Sequence, residues 1–141
     1  LDINSSTPAT PSVTRLADYT PPPYRVDSVE LTFDLHEDHT TVTAYSVIHA
    51  CDDHALVPPP LRLDGIGLEL DALVLDGRAL DPSEYTVDAE GLTIARVPRQ
   101  FTLEVVTIIH PETNTALEGL YKSSGNFCTQ CEARGFRKIT Y

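Results

Sequence analysis

Cys128, Gln130, Cys131, Glu132, Arg134 and Arg137 stand within ten positions near the end of this 141-residue chain. Two thiols, an amide, a carboxylate and two guanidiniums form a set that a plain surface loop does not require. Cys128-Thr129-Gln130-Cys131 has the spacing of half a zinc knuckle or of a redox dithiol. Structural zinc sites usually take four ligands in two paired knuckles, and the chain has one C-x-x-C. Redox pairs usually place their first Cys at a helix N-terminus after a βαβ pattern, which is missing here, so small, buried packing is the better role for both thiols. His36-Glu37-Asp38-His39 superficially has the residues of the zinc motif His-Glu-x-x-His. Its histidines are three apart in a turn between strands, whereas the motif needs them four apart on a helix so that both face one metal. A solvated hairpin tip is the expectation there. His49-Ala50-Cys51-Asp52-Asp53-His54 also has ligand-type residues in close spacing, but it runs into Val57-Pro58-Pro59-Pro60 and reads as a polar loop ended by a stiff proline run. No metal ligand is assigned in this chain.

The longer stretch Asn114 to Tyr141, NTALEGLYKSSGNFCTQCEARGFRKITY, closely resembles the segment that ends the first half of the N-terminal domain in bacterial aminopeptidase N, a zinc metallopeptidase family. The family's version reads T-A-L-E-G-L-Y, a short variable loop, then C-T-Q-C-E-A-x-G-F-R-x-I-T-Y. From about Tyr24 to Leu120 the chain looks like the same domain's earlier strands, with residues too generic to identify the family alone. The resemblance implies that Gln130 and Glu132 reach out of a β-rich domain into the active site of a separate zinc-bearing catalytic domain of the same polypeptide. There they would help hold the free N-terminal amine of a peptide substrate. An exopeptidase must tell a chain end from an internal amide, and the end differs by its ammonium group. A charge-assisted hydrogen bond to that group is worth roughly 1.5–3 kcal/mol, and a buried carboxylate facing an internal segment is left unpaired. The resemblance implies zinc in the full-length enzyme and no cofactor in this fragment. The helical His-Glu-x-x-His, the third carboxylate ligand and the Gly-x-Met-Glu-Asn segment are all missing from it, so the fragment is expected to be catalytically silent and metal-free.

The elements that must position these residues are strands. Val29, Leu31, Phe33 and Leu35 alternate with polar residues, which predicts a half-buried antiparallel strand, and Thr41 to Ala50 returns as a second one after the turn His36 to Thr40. Leu61 to Leu63 and Leu68 to Leu75 are apolar segments, and Asp76-Gly77 is a tight-turn signal. Tyr85 to Val87 and Leu92 to Ala95 flank the hairpin signature Asp88-Ala89-Glu90-Gly91, and Phe101 to Ile109 reads as a more fully buried strand that Pro111 stops. No amphipathic pattern supports a helix longer than two turns. The fold class is therefore all-β, an antiparallel β-sandwich or saddle-like open sheet of about seven or more short strands.

Residues 1–23, with Pro8, Pro11 and Pro21 to Pro23 among Ser and Thr, read as an extended or disordered arm, and residues 24–141 as one domain. The family's domain continues beyond the position of Tyr141, so the last element is expected to be an exposed edge. A net charge of −11 disfavours nucleic acid and anionic membranes as partners, since both select Lys and Arg clusters. No apolar run approaches a membrane span, and three cysteines form no disulfide framework, which points to the cytoplasm. The alternative function for the same strands is a stand-alone β-sandwich interaction module.

Overall fold

The computed structural model describes residues 15–52 and 56–141. Those residues form ten strands and two short 3₁₀ helices, with no α-helix among them. The strands are β1 (Tyr24–Leu35), β2 (Thr40–Ala50), β3 (Leu61–Asp64), β4 (Glu69–Leu75), β5 (Arg78–Ala79), β6 (Tyr85–Asp88), β7 (Gly91–Ile94), β8 (Gln100–Ile109), β9 (Gly119–Ser123) and β10 (Asn126–Gln130). Five of them form one antiparallel sheet in the order β1-β2-β8-β4-β5, and two smaller sheets, β3-β7-β6 and β9-β10, pack on one of its faces. The all-β expectation holds, in the form of a long open sheet with two partial covers.

Period-two alternation builds that inner face. In β2 the buried residues are Thr40, Val42, Ala44, Ile48 and Ala50, and in β8 they are Phe101, Leu103, Val105, Thr107 and Ile109. The register sets Ala44 opposite Val105 and Ile48 opposite Phe101, so the two strands form one continuous apolar ribbon. At one end, Leu61, Leu92 and Ile94 from the three-stranded sheet close over Leu73, Leu75, Phe101 and Leu103. At the other end, Leu120 and Ile139 close over Val42 and Ile109. Each such side chain contributes about 1.5–3 kcal/mol on burial, so the two covers are held by apolar contact rather than by strand pairing.

The hairpins form where turn chemistry places them. Asp76 and Gly77 both have positive φ, at 49° and 77°, the conformation a two-residue hairpin between twisted strands requires. The Asp76 carboxylate also accepts the amide of Thr102, tying the turn to β8. Asp88 caps the β6–β7 turn by accepting the amides of Glu90 and Gly91, and Arg62 of β3 grips the same carboxylate through both terminal nitrogens.

Two expectations need correction. Val29, Leu31, Phe33 and Leu35 do lie on the inner face, opposite Ser46, Ala44, Val42 and Thr40. Yet Val29 is 52%, Phe33 39% and Leu35 47% exposed, because β1 is the edge of the sheet and, beyond its buried first residue Tyr24, the covers leave it largely open. Alternation reports the face a side chain takes, not whether that face is covered. The last element is also not an exposed strand edge. It is the 3₁₀ helix Gly135–Lys138, followed by buried Ile139 and Thr140, and the long free edge belongs to β1 instead. Of the expected N-terminal arm, residues 15–23 are exposed with one 3₁₀ turn at Leu16–Asp18, and the rest lies outside the described residues. No helix among the described residues is long and apolar enough to cross a membrane.

Candidate functional site

The β9–β10 hairpin turns at Ser124 and Gly125, both at positive φ, and its last pair sets Gln130 opposite Gly119. Leu120 and Phe127 fasten the hairpin to the second core patch, and Lys122 lies over the Phe127 ring while reaching the Glu37 carboxylate at 2.8 Å. After Gln130 the chain doubles back, and the Gly135 amide donates to the Cys131 carbonyl at 2.9 Å. Gly135 then lies flat on the hairpin. A Cβ at this position would fall 2.2 Å from the Gln130 carbonyl oxygen and 3.1 Å from the Gly119 nitrogen. Only a residue without a side chain lets the loop fold this tightly, and Glu132 lies in the turn so closed.

Beyond this loop the chain is tied into the rest of the molecule. The Ile66 amide donates to the Arg137 carbonyl, and the buried Thr107 hydroxyl of β8 donates to the Ile139 carbonyl. The Tyr141 ring fills the space a Gly65 side chain would take. The site is thus braced from the central sheet and from the β3–β4 connection at once.

Gln130 and Glu132, the two residues singled out in the sequence, are both exposed, and the Gln130 side-chain amide donates to the backbone carbonyl of Glu132 at 3.3 Å. A shallow cavity of about 280 Å³ is lined by Glu118, Glu132, Ala133, Arg134, Gly135 and Arg137. Within it, Glu118 is engaged by Lys138 at 2.6 Å, and that contact, reinforced by Arg137, holds its carboxyl below the usual range. Glu132 and Arg134 form no ion pair with any described residue. The buried Nε of Arg137 likewise has no partner. The Glu118–Lys138 pair and the role of Gly135 escape sequence reading, because one joins residues far apart in the chain and the other depends on how closely two backbones approach.

The other candidates do not assemble a centre. His36 and His39 stack at 4.5 Å between ring centroids, each paired with a neighbouring aspartate, Asp34 at 3.0 Å and Asp38 at 2.8 Å. They are the hairpin tip the sequence predicts. His49 turns to Asp27 at 2.8 Å, while Asp53 and His54 lie outside the described residues. Cys131 packs against the second core patch, Cys128 is half-buried on β10, and Cys51 is exposed, none of them in a disulfide. Among the described residues no three His, Cys, Asp or Glu side chains are placed to hold a metal ion, so these residues do not fit a zinc site.

Over 132 residues, 94% of its length, the chain is 47% identical to aminopeptidase N of Caulobacter vibrioides. Over 127 residues it is 44% identical to aminopeptidase N of Escherichia coli. It spans only 15% and 14% of those two proteins. The crystal structure of Legionella pneumophila aminopeptidase A in complex with aspartic acid superposes with a TM-score of 0.79 at 27% identity, over 89% of this chain and 15% of that one. No family profile matches the chain. Its sequence and its fold together place it in the bacterial aminopeptidase N family, as a segment corresponding to the N-terminal region of those enzymes.

Proposed function

We propose that this chain is the part of a zinc aminopeptidase that recognises the substrate's α-ammonium group, with Glu132 as the charged acceptor and Gln130 beside it. The observation that supports this reading most directly is the state of Glu132. It lies in the turn closed by the Gly135–Cys131 bond, exposed, and without an ion-pair partner although two arginines line the same cavity. An uncompensated carboxylate has the highest gain from meeting a cation, and the backbone that carries it is tied by the Gln130 contact and by the Gly135–Cys131 bond. Gln130 supplies a neutral donor and acceptor whose orientation is set by its bond to the Glu132 carbonyl.

Selection follows from the difference between chain ends and interiors. An ammonium satisfies the carboxylate, whereas an internal amide pressed against it leaves a desolvated charge unpaired, which penalises binding more than a neutral contact rewards it. Hydrolysis itself is assigned to a catalytic domain of the same polypeptide, where zinc would polarise the scissile carbonyl and activate water. The residues described here bind and orient, and the chain alone is catalytically silent. Its unpaired thiols suit a reducing compartment, and we place the enzyme in the cytoplasm.

In the full-length enzyme, Glu132→Gln keeps the shape of the side chain and removes its charge. The expected result is a fall in kcat/KM of about 10- to 150-fold, matching roughly 1.5–3 kcal/mol, with the melting temperature unchanged. Gln130→Ala is expected to cost less, since a neutral hydrogen bond contributes about 0.5–1.5 kcal/mol. An unchanged kcat/KM together with a lowered melting temperature would make Glu132 a structural residue and end this reading.

A further inference from the structure

We propose that Asn114 is a positioning residue for the amine site, because it ties the loop that grips the turn carrying Glu132. This rests on the assignment of Gln130 and Glu132 to the α-ammonium and adds what keeps them in register. The Asn114 Nδ2 donates to the Glu118 carbonyl at 2.8 Å and to the Leu120 carbonyl at 2.9 Å, which uses both of its N–H groups. Its Oδ1 accepts the Ala116 amide at 3.1 Å. One half-buried side chain thereby closes residues 114–120 into a loop of set shape. The backbone it closes is unusual. Leu117 has a φ of 56° and is 54% exposed, and Gly119 has a φ of 74°. A bulky side chain in the left-handed region persists only where its surroundings over-determine it, and the Asn114 bonds supply that constraint.

The two carbonyls that Asn114 grips flank Gly119, and Gly119 is where the loop meets the site. It is the partner of Gln130 in the last pair of β9 and β10. It also lies so close to the final 3₁₀ helix that a Cβ there would fall 3.0 Å from the Lys138 Cβ and 3.1 Å from the Gly135 carbonyl oxygen. Beside it, the Glu118 carboxylate binds Lys138 at 2.6 Å. The loop therefore touches the chain on both sides of Glu132, at Gln130 before it and at Gly135 and Lys138 after it. Releasing the Asn114 bonds loosens both ends of that turn together and removes no apolar contact of Leu120 or Ile139 with the second core patch.

The test is a mutant cycle in the full-length enzyme, read as kcat/KM on alanine 4-nitroanilide. Asn114→Asp keeps the shape of the side chain and its acceptor for the Ala116 amide, but offers the two carbonyls an oxygen in place of the donor. The expected loss is on the order of tenfold or more, since a misplacement of about 1 Å can cost about 100-fold. In the Gln130→Ala/Glu132→Gln background no charged amine site is left to misplace, and the same change is expected to cost at most about twofold. Losses of equal size in both backgrounds overturn the proposal, because Asn114 would then act by another route. Unchanged kcat/KM in Asn114→Asp, while Gln130→Ala/Glu132→Gln depresses it, also overturns the proposal and leaves the amine assignment standing. If Gln130→Ala/Glu132→Gln costs nothing, both assignments fall together. Where Asn114→Asp does not fold, Glu118→Gln cuts the same loop's exposed pair with Lys138. It is expected to lower kcat/KM about two- to fivefold in the otherwise unaltered enzyme and not in the Gln130→Ala/Glu132→Gln background. No loss, or the same loss in both, overturns the proposal.

Discussion

Glu84 and Asp88 show what a paired carboxylate looks like in this chain, and Glu132 is unlike them. Arg78 meets Glu84 with two parallel bonds of 2.8 and 2.9 Å, and the Asp81 amide adds a third. The Arg78 hydrogen bonds, helped by that amide, pull the Glu84 carboxyl down to about 2. Arg62 does the same to Asp88 and holds it far below the ordinary carboxylate range. Because the folded-state value of Glu84 is depressed, its contribution to stability is complete above about 4.5 and is lost as pH falls toward about 2. Thermal melts across that window should show a smaller acid-induced drop for Arg78→Ala than for the unaltered chain, and parallel curves would mean that the exposed pair contributes nothing. Gln130 and Glu132 were singled out in the sequence through the motif around them. The sequence did not carry the freedom of Glu132 and Arg134, because which of several nearby opposite charges pair is settled by angles and distances.

At the scale of elements, the sequence was most legible where local chemistry decides. Asp76-Gly77 turns because its backbone needs positive φ, and the apolar run Phe101 to Ile109 is the strand β8 that it predicts, although only alternate residues are fully buried and Val106 and Ile108 are half-buried on the other face. It was least legible where burial depends on a distant partner, as in β1, whose apolar stripe is uncovered, and in the final segment, which coils instead of extending. Gly135 belongs to the same class, since nothing in its neighbours announces that the Gln130 carbonyl will come so near. Gly135→Ala places a methyl 2.2 Å from that backbone oxygen, where no rotamer change can relieve it. The expected cost is about 1–3 kcal/mol of stability, the usual range for overpacking, seen as a lowered melting temperature. In the full-length enzyme kcat/KM should fall with it, because the hairpin must shift under Gln130. A variant with normal stability and kinetics would show that the loop accommodates a side chain and does not fix the pair.

For the molecule as a whole, the brace behind the site governs how it fluctuates. The Ile66 amide bonded to the Arg137 carbonyl, and the Ile139 carbonyl bonded to the Thr107 hydroxyl, join the final segment to two other parts of the fold. Such a segment cannot swing open while the central sheet stays closed. Amide hydrogen exchange reads this directly, as an opening free energy for each residue. The amides of Ile66 and Ile139 should exchange with an opening free energy close to that of the Val105 amide in β8, and much faster exchange at the first two would reveal a loop that breathes by itself. Slow exchange there has a consequence for the substrate capture we propose. Under the proposed role of Gln130 and Glu132, a segment that does not open locally spends little conformational entropy when a ligand arrives, and the peptide's own ordering sets most of the entropic part of binding.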